Sequence, residues 1–183
     1  MEEKLTRLRK EISSLSEMTH LHECFTLLRS CASACKVTHL MRTMPPRQLT
    51  KFISGFDAEL RKAMEKILGH DLNDRQWLTC QLPGKYGGFG LRSGKLTAGA
   101  QHVMSLQKCA NDMAVHTDGW NLTECIREAA DWWLKECIGI DFDVDDYLSE
   151  SKSEQSQRGI AVLALSHILC HWRSDVNIPG IIN

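Results

Sequence analysis

The sequence predicts an all-α fold, a bundle of six to seven helices with a glycine-rich crossover loop between two helical halves. Through most of the chain, apolar residues recur at intervals of three and four, which is the spacing of one buried helix face. No alternating strand pattern occurs in the sequence. The exception to helical spacing is the segment 78–93, where four glycines fall within seven residues and leave room for a tight turn or short strands. We expect the halves, residues 1–93 and 94–183, to form one compact domain.

The first two helices are predicted from apolar stripes near the N-terminus. The spacing places them over residues 2–16 and 19–43. Pro45 should end the second helix, because a proline has no backbone donor and disfavours helical angles in the residue before it. The stripe of the first helix is Leu5, Leu8, Ile12 and Leu15, and that of the second is Leu21, Cys24, Phe25, Leu28, Cys31 and Cys35.

The clearest amphipathic pattern covers residues 47–68. Gly69 is placed to cap its C-terminus, and either Asn73 or Asp74 could cap a short helix through Leu78. The apolar face of the long helix carries Leu49, Phe52, Ile53, Phe56, Leu60, Met64 and Ile67. Its polar face carries Lys51, Asp57, Glu59, Arg61, Lys62, Glu65 and Lys66.

The glycine-rich segment has both apolar and cationic side chains. Leu82, Phe89 and Leu91 should be buried by the turn, while Lys85 and Arg92 give it positive charge. We expect it to present backbone N–H groups and these two cations. The simpler interpretation is a structural turn that only joins helices.

Helical spacing resumes in the second half. The spacing predicts one helix over residues 94–115 and another over residues 158–173. Between them, Asn121 and Glu124 resemble a capping box that opens a further helix. The helix over residues 158–173 is apolar nearly all round, which is typical of a helix at the centre of a core or beneath a partner. The tryptophans of this half are expected in the core or at its rim, rather than as base-stacking surfaces: Trp120, Trp132 and Trp133.

Charge is divided unevenly along the 183 residues, although the net charge is only −1. Up to residue 110 there are 17 Lys and Arg against 10 Asp and Glu, and from residue 111 there are 5 against 13. A basic half can face a polyanion, but so small a net charge predicts modest, salt-sensitive affinity for nucleic acid.

The composition also bears on compartment. No run approaches the roughly 18 apolar residues of a membrane span, so we predict no membrane association. The charged start, Met1-Glu-Glu-Lys, lacks the apolar centre of a secretory signal, which predicts a cytoplasmic or nuclear protein. The eight cysteines form no C-x-x-C pair, and in a reducing compartment we expect free thiols in the core.

Candidate chemistry is sparse. The cluster His20, His22, Cys24, Cys31, Cys35 and His39 could ligate zinc, but its spacing matches no zinc-finger pattern, so no metal is predicted. A Walker loop, a dinucleotide fingerprint and a nucleophile elbow are all absent, so no cofactor is predicted. An acid–base group of His70, Asp71 and Asp74 is a minor alternative. We predict no catalytic residues.

Six phrases in register resemble the segment that follows the catalytic palm in reverse transcriptases of non-LTR retrotransposons, and the resemblance covers about residues 21–101. The phrases are Phe25-x-Leu-Leu-Arg-Ser-Cys31, Leu40-Met-Arg-Thr-x-Pro-Pro46, Phe56-Asp-x-x-Leu-Arg61, Ile67-Leu-Gly69, Leu72-x-Asp-x-x-Trp77 and Gln81-Leu-Pro-x-x-x-Gly-Gly-Phe-Gly-Leu-Arg-Ser93. The resemblance implies a thumb and connector region, which in that family lies beside the template–primer duplex.

The palm of that family, with its Tyr/Phe-x-Asp-Asp turn, is absent from this sequence, and Asp145-Asp146 does not replace it because no apolar strands flank it. We therefore expect a detached or domesticated module without polymerase activity. It would bind an RNA or DNA backbone weakly through exposed cations. These cations are Arg29, Arg42, Arg47, Lys51, Lys85 and Arg92.

The alternative is a protein-interaction module that self-associates or docks on a separate palm domain. It rests on the apolar final helix, the heptad-like first helix and the opposite charges of the two halves.

Overall fold

The computed structural model describes residues 1–114, 122–132 and 135. Within these ranges the chain consists of helices and the turns between them, and no strand occurs. The predicted all-α fold is confirmed. The predicted helix over residues 158–173 and the pair Asp145-Asp146 lie outside the described residues, and the division of the chain at residue 93 stays a prediction.

Helix α1 (Glu2–Leu15) packs along α4 (Pro46–Leu68). Leu8 and Ile12 of its predicted stripe are buried, and Leu5 and Leu15 are half-buried against the same core. Gly55 lets the two helices approach closely, since a Cβ there would lie 2.8 Å from Cδ2 of Leu5. The stripe of α1 is thus covered by α4 of the same chain.

The prediction that the second helix is continuous is wrong. Instead of one helix over 19–43, the chain forms α2 (Leu21–Leu27), a π-helical turn (Leu28–Ala32), a 3₁₀ turn (Ala34–Lys36) and α3 (Thr38–Thr43). The break falls at Ser33, whose backbone is extended, with φ −81° and ψ −150°. The Ser33 hydroxyl donates a 2.7 Å hydrogen bond to the carbonyl oxygen of Arg29, which closes the π-helical turn.

The π-helical turn changes which residues of this segment face the core. In a π-helical turn the backbone hydrogen bonds join residues i and i+5, so the turn is wider than an α-helical one. The side chains after it are therefore rotated relative to those before it. The predicted burial of Cys31 and Cys35 is therefore wrong, because both are exposed, and Leu21 is also 54% exposed. The residues that enter the core instead are Ala32, Ala34, Val37 and Met41, which follow the buried Cys24 and Leu28.

Helix α4 agrees with the sequence pattern. Its predicted apolar face is buried from Leu49 to Met64, and Ile67 is half-buried. Pro46 occupies the first turn, where its missing N–H has no intrahelical partner to lose. Gly69 ends the helix in the left-handed conformation, as predicted.

A short link joins α4 to α5 (Asp74–Gln81), and it is tied to α4 by side chains. The Arg61 guanidinium donates to the carbonyl oxygen of Leu72 and, at 2.7 Å, to the Asp74 carboxylate. Of the two predicted caps for α5, the structure uses Asn73, which forms a reciprocal capping box with Gln76.

Helix α6 (Gly94–Ala114) packs against α3 and α4, and α7 (Leu122–Trp132) packs against α6. Ala98, Ala100 and Val103 form the buried side of α6. None of the helices in the described ranges is both long enough and apolar enough to cross a membrane.

The N-terminus of α6 is capped from α4 by Asp57, which the sequence pattern places on the polar face of that helix. Its carboxylate accepts hydrogen bonds from the Ser93 hydroxyl at 2.5 Å and from the backbone N–H groups of Gly94 at 2.7 Å and Lys95 at 2.9 Å. Burial raises the pKa of Asp57, and these three hydrogen bonds act against that rise. Asp57 is therefore a long-range cap that links α4 to the end of the glycine-rich loop.

Replacing Asp57 by alanine should lower the free energy of unfolding by about 2 kcal/mol, because the N–H groups of Gly94 and Lys95 lose a charged acceptor. Urea denaturation measures the change. Asp71→Ala is the matched control and should stay within about 0.5 kcal/mol, since Asp71 is exposed. Equal effects of the two substitutions would contradict the capping role.

His102 on α6 gives the fold a pH dependence. The ring is only 7% exposed, and its Nδ1 lies 3.3 Å from the carbonyl oxygen of Arg42. Burial lowers the pKa of His102 below its ordinary 6.5, so the unfolded chain takes up the proton first as the pH falls. We expect the free energy of unfolding to fall as the pH drops below 6.5.

His102→Gln tests this dependence, because glutamine can still donate to the Arg42 carbonyl but does not titrate. Urea denaturation at a series of pH values from neutral downward should show a smaller loss of stability for the variant than for the wild type. Parallel curves for the two proteins would contradict the assignment to His102.

Candidate nucleic-acid interface

The glycine-rich loop after α5 closes back on the end of that helix. The N–H of Gly90 donates to the carbonyl oxygen of Leu82 at 2.8 Å, and the N–H of Leu91 donates to that of Cys80 at 3.1 Å. Leu82 and Leu91 are buried, as predicted, and anchor the loop on the core. Gly88 is required by this closure, since a Cβ there would overlap the Leu82 carbonyl group.

Two aromatic residues of the loop face solvent. Phe89, which we expected to be buried, is 43% exposed and meets the ring of Phe25 edge-on, with 5.6 Å between the ring centroids. Tyr86 is 42% exposed, and the Nζ of Lys85 lies 4.7 Å from the centre of its ring.

A cleft of about 450 Å³ lies between the π-helical turn and the loop. It brings together two predicted binding residues that are far apart in the sequence, Arg29 and Arg92. The other residues that line it are Phe25, Thr26, Ser30, Ser33, Cys35 and Gly90. Ser30 and Ser33 were not predicted as cleft residues, because the sequence pattern gave no sign of the π-helical turn that places them beside the loop.

The guanidinium group of Arg29 rests on the backbone of Gly90. A Cβ at Gly90 would lie 3.2 Å from Nε and 3.3 Å from Cζ of Arg29. Gly90 also has a φ of +70°, which residues with a Cβ rarely adopt. The position of Arg29 in the cleft therefore depends on glycine at this point of the loop.

The four other predicted cations do not line this cleft. Arg42 on α3 makes a 3.3 Å hydrogen bond from Nε to the neutral amide of Gln101 on α6. Arg47 and Lys51 are exposed on the first turns of α4, and Lys85 is exposed on the loop. The structure thus unites two of the six predicted residues and leaves the others at separate positions.

The six predicted cations share one electrostatic property. Within the described part of the chain, none of them makes an ion pair with a carboxylate. Other cations do have such partners, at nitrogen–oxygen distances of 2.7–3.9 Å: Arg7, Arg9, Lys36, Arg61, Lys62 and Lys66. Several cations of α1 and of the later part of α4 are therefore paired with carboxylates, whereas the six predicted positions have no such partner among the described residues.

Burial raises the pKa of the Cys80 thiol, which keeps it protonated. Asp74, considered as an acid–base group, is occupied by Arg61. Among the described residues, no group of three or more His, Cys, Asp and Glu side chains is placed to hold a metal ion, and the zinc alternative finds no support there.

Comparison with known proteins adds no family to this description. No protein-family model matches the chain, and neither a curated protein nor a solved structure matches it.

The contact between Arg29 and Gly90 can be tested by comparing two glycines with the same backbone conformation. Gly69 has a φ of +74° and open space around its Cβ position, whereas Gly90 has Arg29 beside it. Gly69→Ala should cost about 1–2 kcal/mol of unfolding free energy from backbone strain alone. Gly90→Ala should cost more, because the Arg29 side chain must also move; equal losses in urea denaturation would contradict the contact.

Proposed function

We propose that this chain is a non-catalytic helical module, resembling a reverse transcriptase thumb, that binds the backbone of RNA or DNA weakly and without sequence specificity. The observation that carries the proposal is the set of six exposed cations without carboxylate partners in the described residues. Such cations can exchange their counterions for phosphates. Contacts of this kind position a nucleic acid but do not read its sequence.

The cleft supports phosphate as the group recognised. Arginine has a planar fork of donors that fits phosphate oxygens, and Arg29 and Arg92 line one cleft. Both side chains are exposed, so they are accessible to a backbone that passes over the surface. Two converging arginines and four separate cations, on a chain of net charge −1, are consistent with weak binding.

Contacts between the resembling phrases support the thumb-like interpretation. Asp57 of one phrase accepts a hydrogen bond from Ser93, the last residue of another. Arg61 likewise contacts Leu72, which opens a third phrase. These two contacts connect three of the six phrases. The absence of a palm and of its catalytic Asp pair from the sequence is the reason to propose a non-catalytic module.

The competing hypothesis is self-association or docking on a separate palm domain. One feature behind it, the apolar stripe of α1, is buried against α4. Another, the apolar helix predicted over residues 158–173, lies outside the described residues. A mass measurement in solution discriminates between the hypotheses, because a dimer indifferent to nucleic acid favours association.

Binding to a labelled blunt duplex tests the proposal. Fluorescence anisotropy should show binding at about 50 mM salt and clear weakening at about 150 mM, because counterion release drives it. The double variant Arg29→Gln, Arg92→Gln should reduce the slope of log K against log salt by about 2.

The matched control is the double variant Lys62→Gln, Lys66→Gln, which removes the same charge from cations that have carboxylate partners. It should leave the slope nearly unchanged. Absence of binding by the wild type at about 50 mM salt would overturn the proposal.

A further inference from the structure

Phe89 is an exposed aromatic residue on a loop whose two leucines are buried. Leu82 and Leu91 of the same loop are in the core, yet 43% of Phe89 is accessible to solvent. The edge-on contact with Phe25 holds the Phe89 ring at one side. Phe25 is half-buried against the core, so the ring that it supports is fixed by the fold and not only by the loop.

Phe89 stands at the edge of the arginine cleft. Phe25, its ring partner, lines the cleft, and so does Gly90, the next residue in the chain. The guanidinium group of Arg29 lies against the backbone of Gly90. An aromatic surface and a phosphate-binding cation are therefore neighbours, held by the same short stretch of loop.

We propose that this cleft and Phe89 together bind one unpaired nucleotide of a single-stranded RNA or DNA segment. Its phosphate lies between Arg29 and Arg92, and its base stacks on Phe89. This inference rests on the proposed function and adds the form of nucleic acid that the site takes. Surfaces that bind single strands combine cations along the backbone with aromatic rings beneath the bases.

Whether a base is paired determines whether it can stack on Phe89, and this favours a single strand over a duplex at the site. In the interior of a duplex each base is stacked between its neighbours, so its face is not available to Phe89, whereas unpaired bases can be splayed onto an aromatic ring. The cleft, at about 450 Å³, is in the size range of small-ligand pockets, about 300–1,000 Å³. It suits a nucleotide, whereas a duplex can place backbone phosphates beside Arg29 and Arg92 without offering a base to Phe89.

The test compares a blunt duplex of mixed sequence with the same duplex extended by an unpaired oligothymidine, at either end, in a fluorescence anisotropy titration. The wild type should bind the extended duplex at least about fivefold more tightly, since stacking of one base is worth about 1–3 kcal/mol. Phe89→Leu should reduce that preference to less than about twofold and leave the affinity for the blunt duplex unchanged.

Two variants control for loop damage and for aromatic character. Tyr86→Leu removes a ring of nearly equal exposure from the same loop, and its ring faces Lys85 rather than the cleft, so the preference should persist. Phe89→Tyr keeps an aromatic face and should also retain the preference. Unchanged thermal unfolding of each variant shows that the loop is intact.

The outcomes separate this inference from the proposed function. Equal affinity of the wild type for the two duplexes, or an undiminished preference in Phe89→Leu, overturns the stacking site while backbone binding stands. Loss of the preference in Tyr86→Leu as well as in Phe89→Leu also overturns it, because the effect then belongs to the loop as a whole. Failure of the wild type to bind either duplex overturns both.

Discussion

The carboxylate of Asp57 is the contact on which the arrangement of the loop depends. It lies on the long central helix and accepts three hydrogen bonds from the residues at which the loop ends and α6 begins. At its other end the loop is fixed by backbone hydrogen bonds to Cys80 and Leu82 of α5 and its C-terminus. Gly90 and Leu91 are thereby tied to α5 and Ser93 to α4, so the positions of Gly90 and Arg92 depend on the packing of these helices.

Local features of the fold were predictable from the sequence, whereas contacts between distant segments were not. The apolar face of α4 and its cap at Gly69 depend on residues within a few turns of each other, and both were predicted correctly. The capping role of Asp57 has no local sign, because its donors lie more than thirty residues away. On a helical wheel it is simply one more charged residue on a polar face.

The π-helical turn explains most of what was missed at the candidate site. Helical periodicity assumes 3.6 residues per turn, and the π-helical turn with the extended Ser33 after it interrupts that period. Cys31 and Cys35 were therefore expected inside and are exposed, and Ser30 and Ser33 were not recognised as cleft residues. The cations themselves were identified from their residue type, but only the tertiary structure shows that Arg29 and Arg92 line one cleft and that carboxylates pair with several of the other cations.

Gly55 has a consequence for attempts to stabilise this protein. A glycine inside a helix costs about 1 kcal/mol relative to alanine, so a scheme that ranks substitutions by helix propensity would choose Gly55→Ala first. In this structure the added methyl group would lie 2.8 Å from a δ-methyl group of Leu5, which packs against the core. The gain in propensity is offset by displacement of Leu5 between the first and the central helix. Gly84, whose Cβ position is open, is the safer target for engineering.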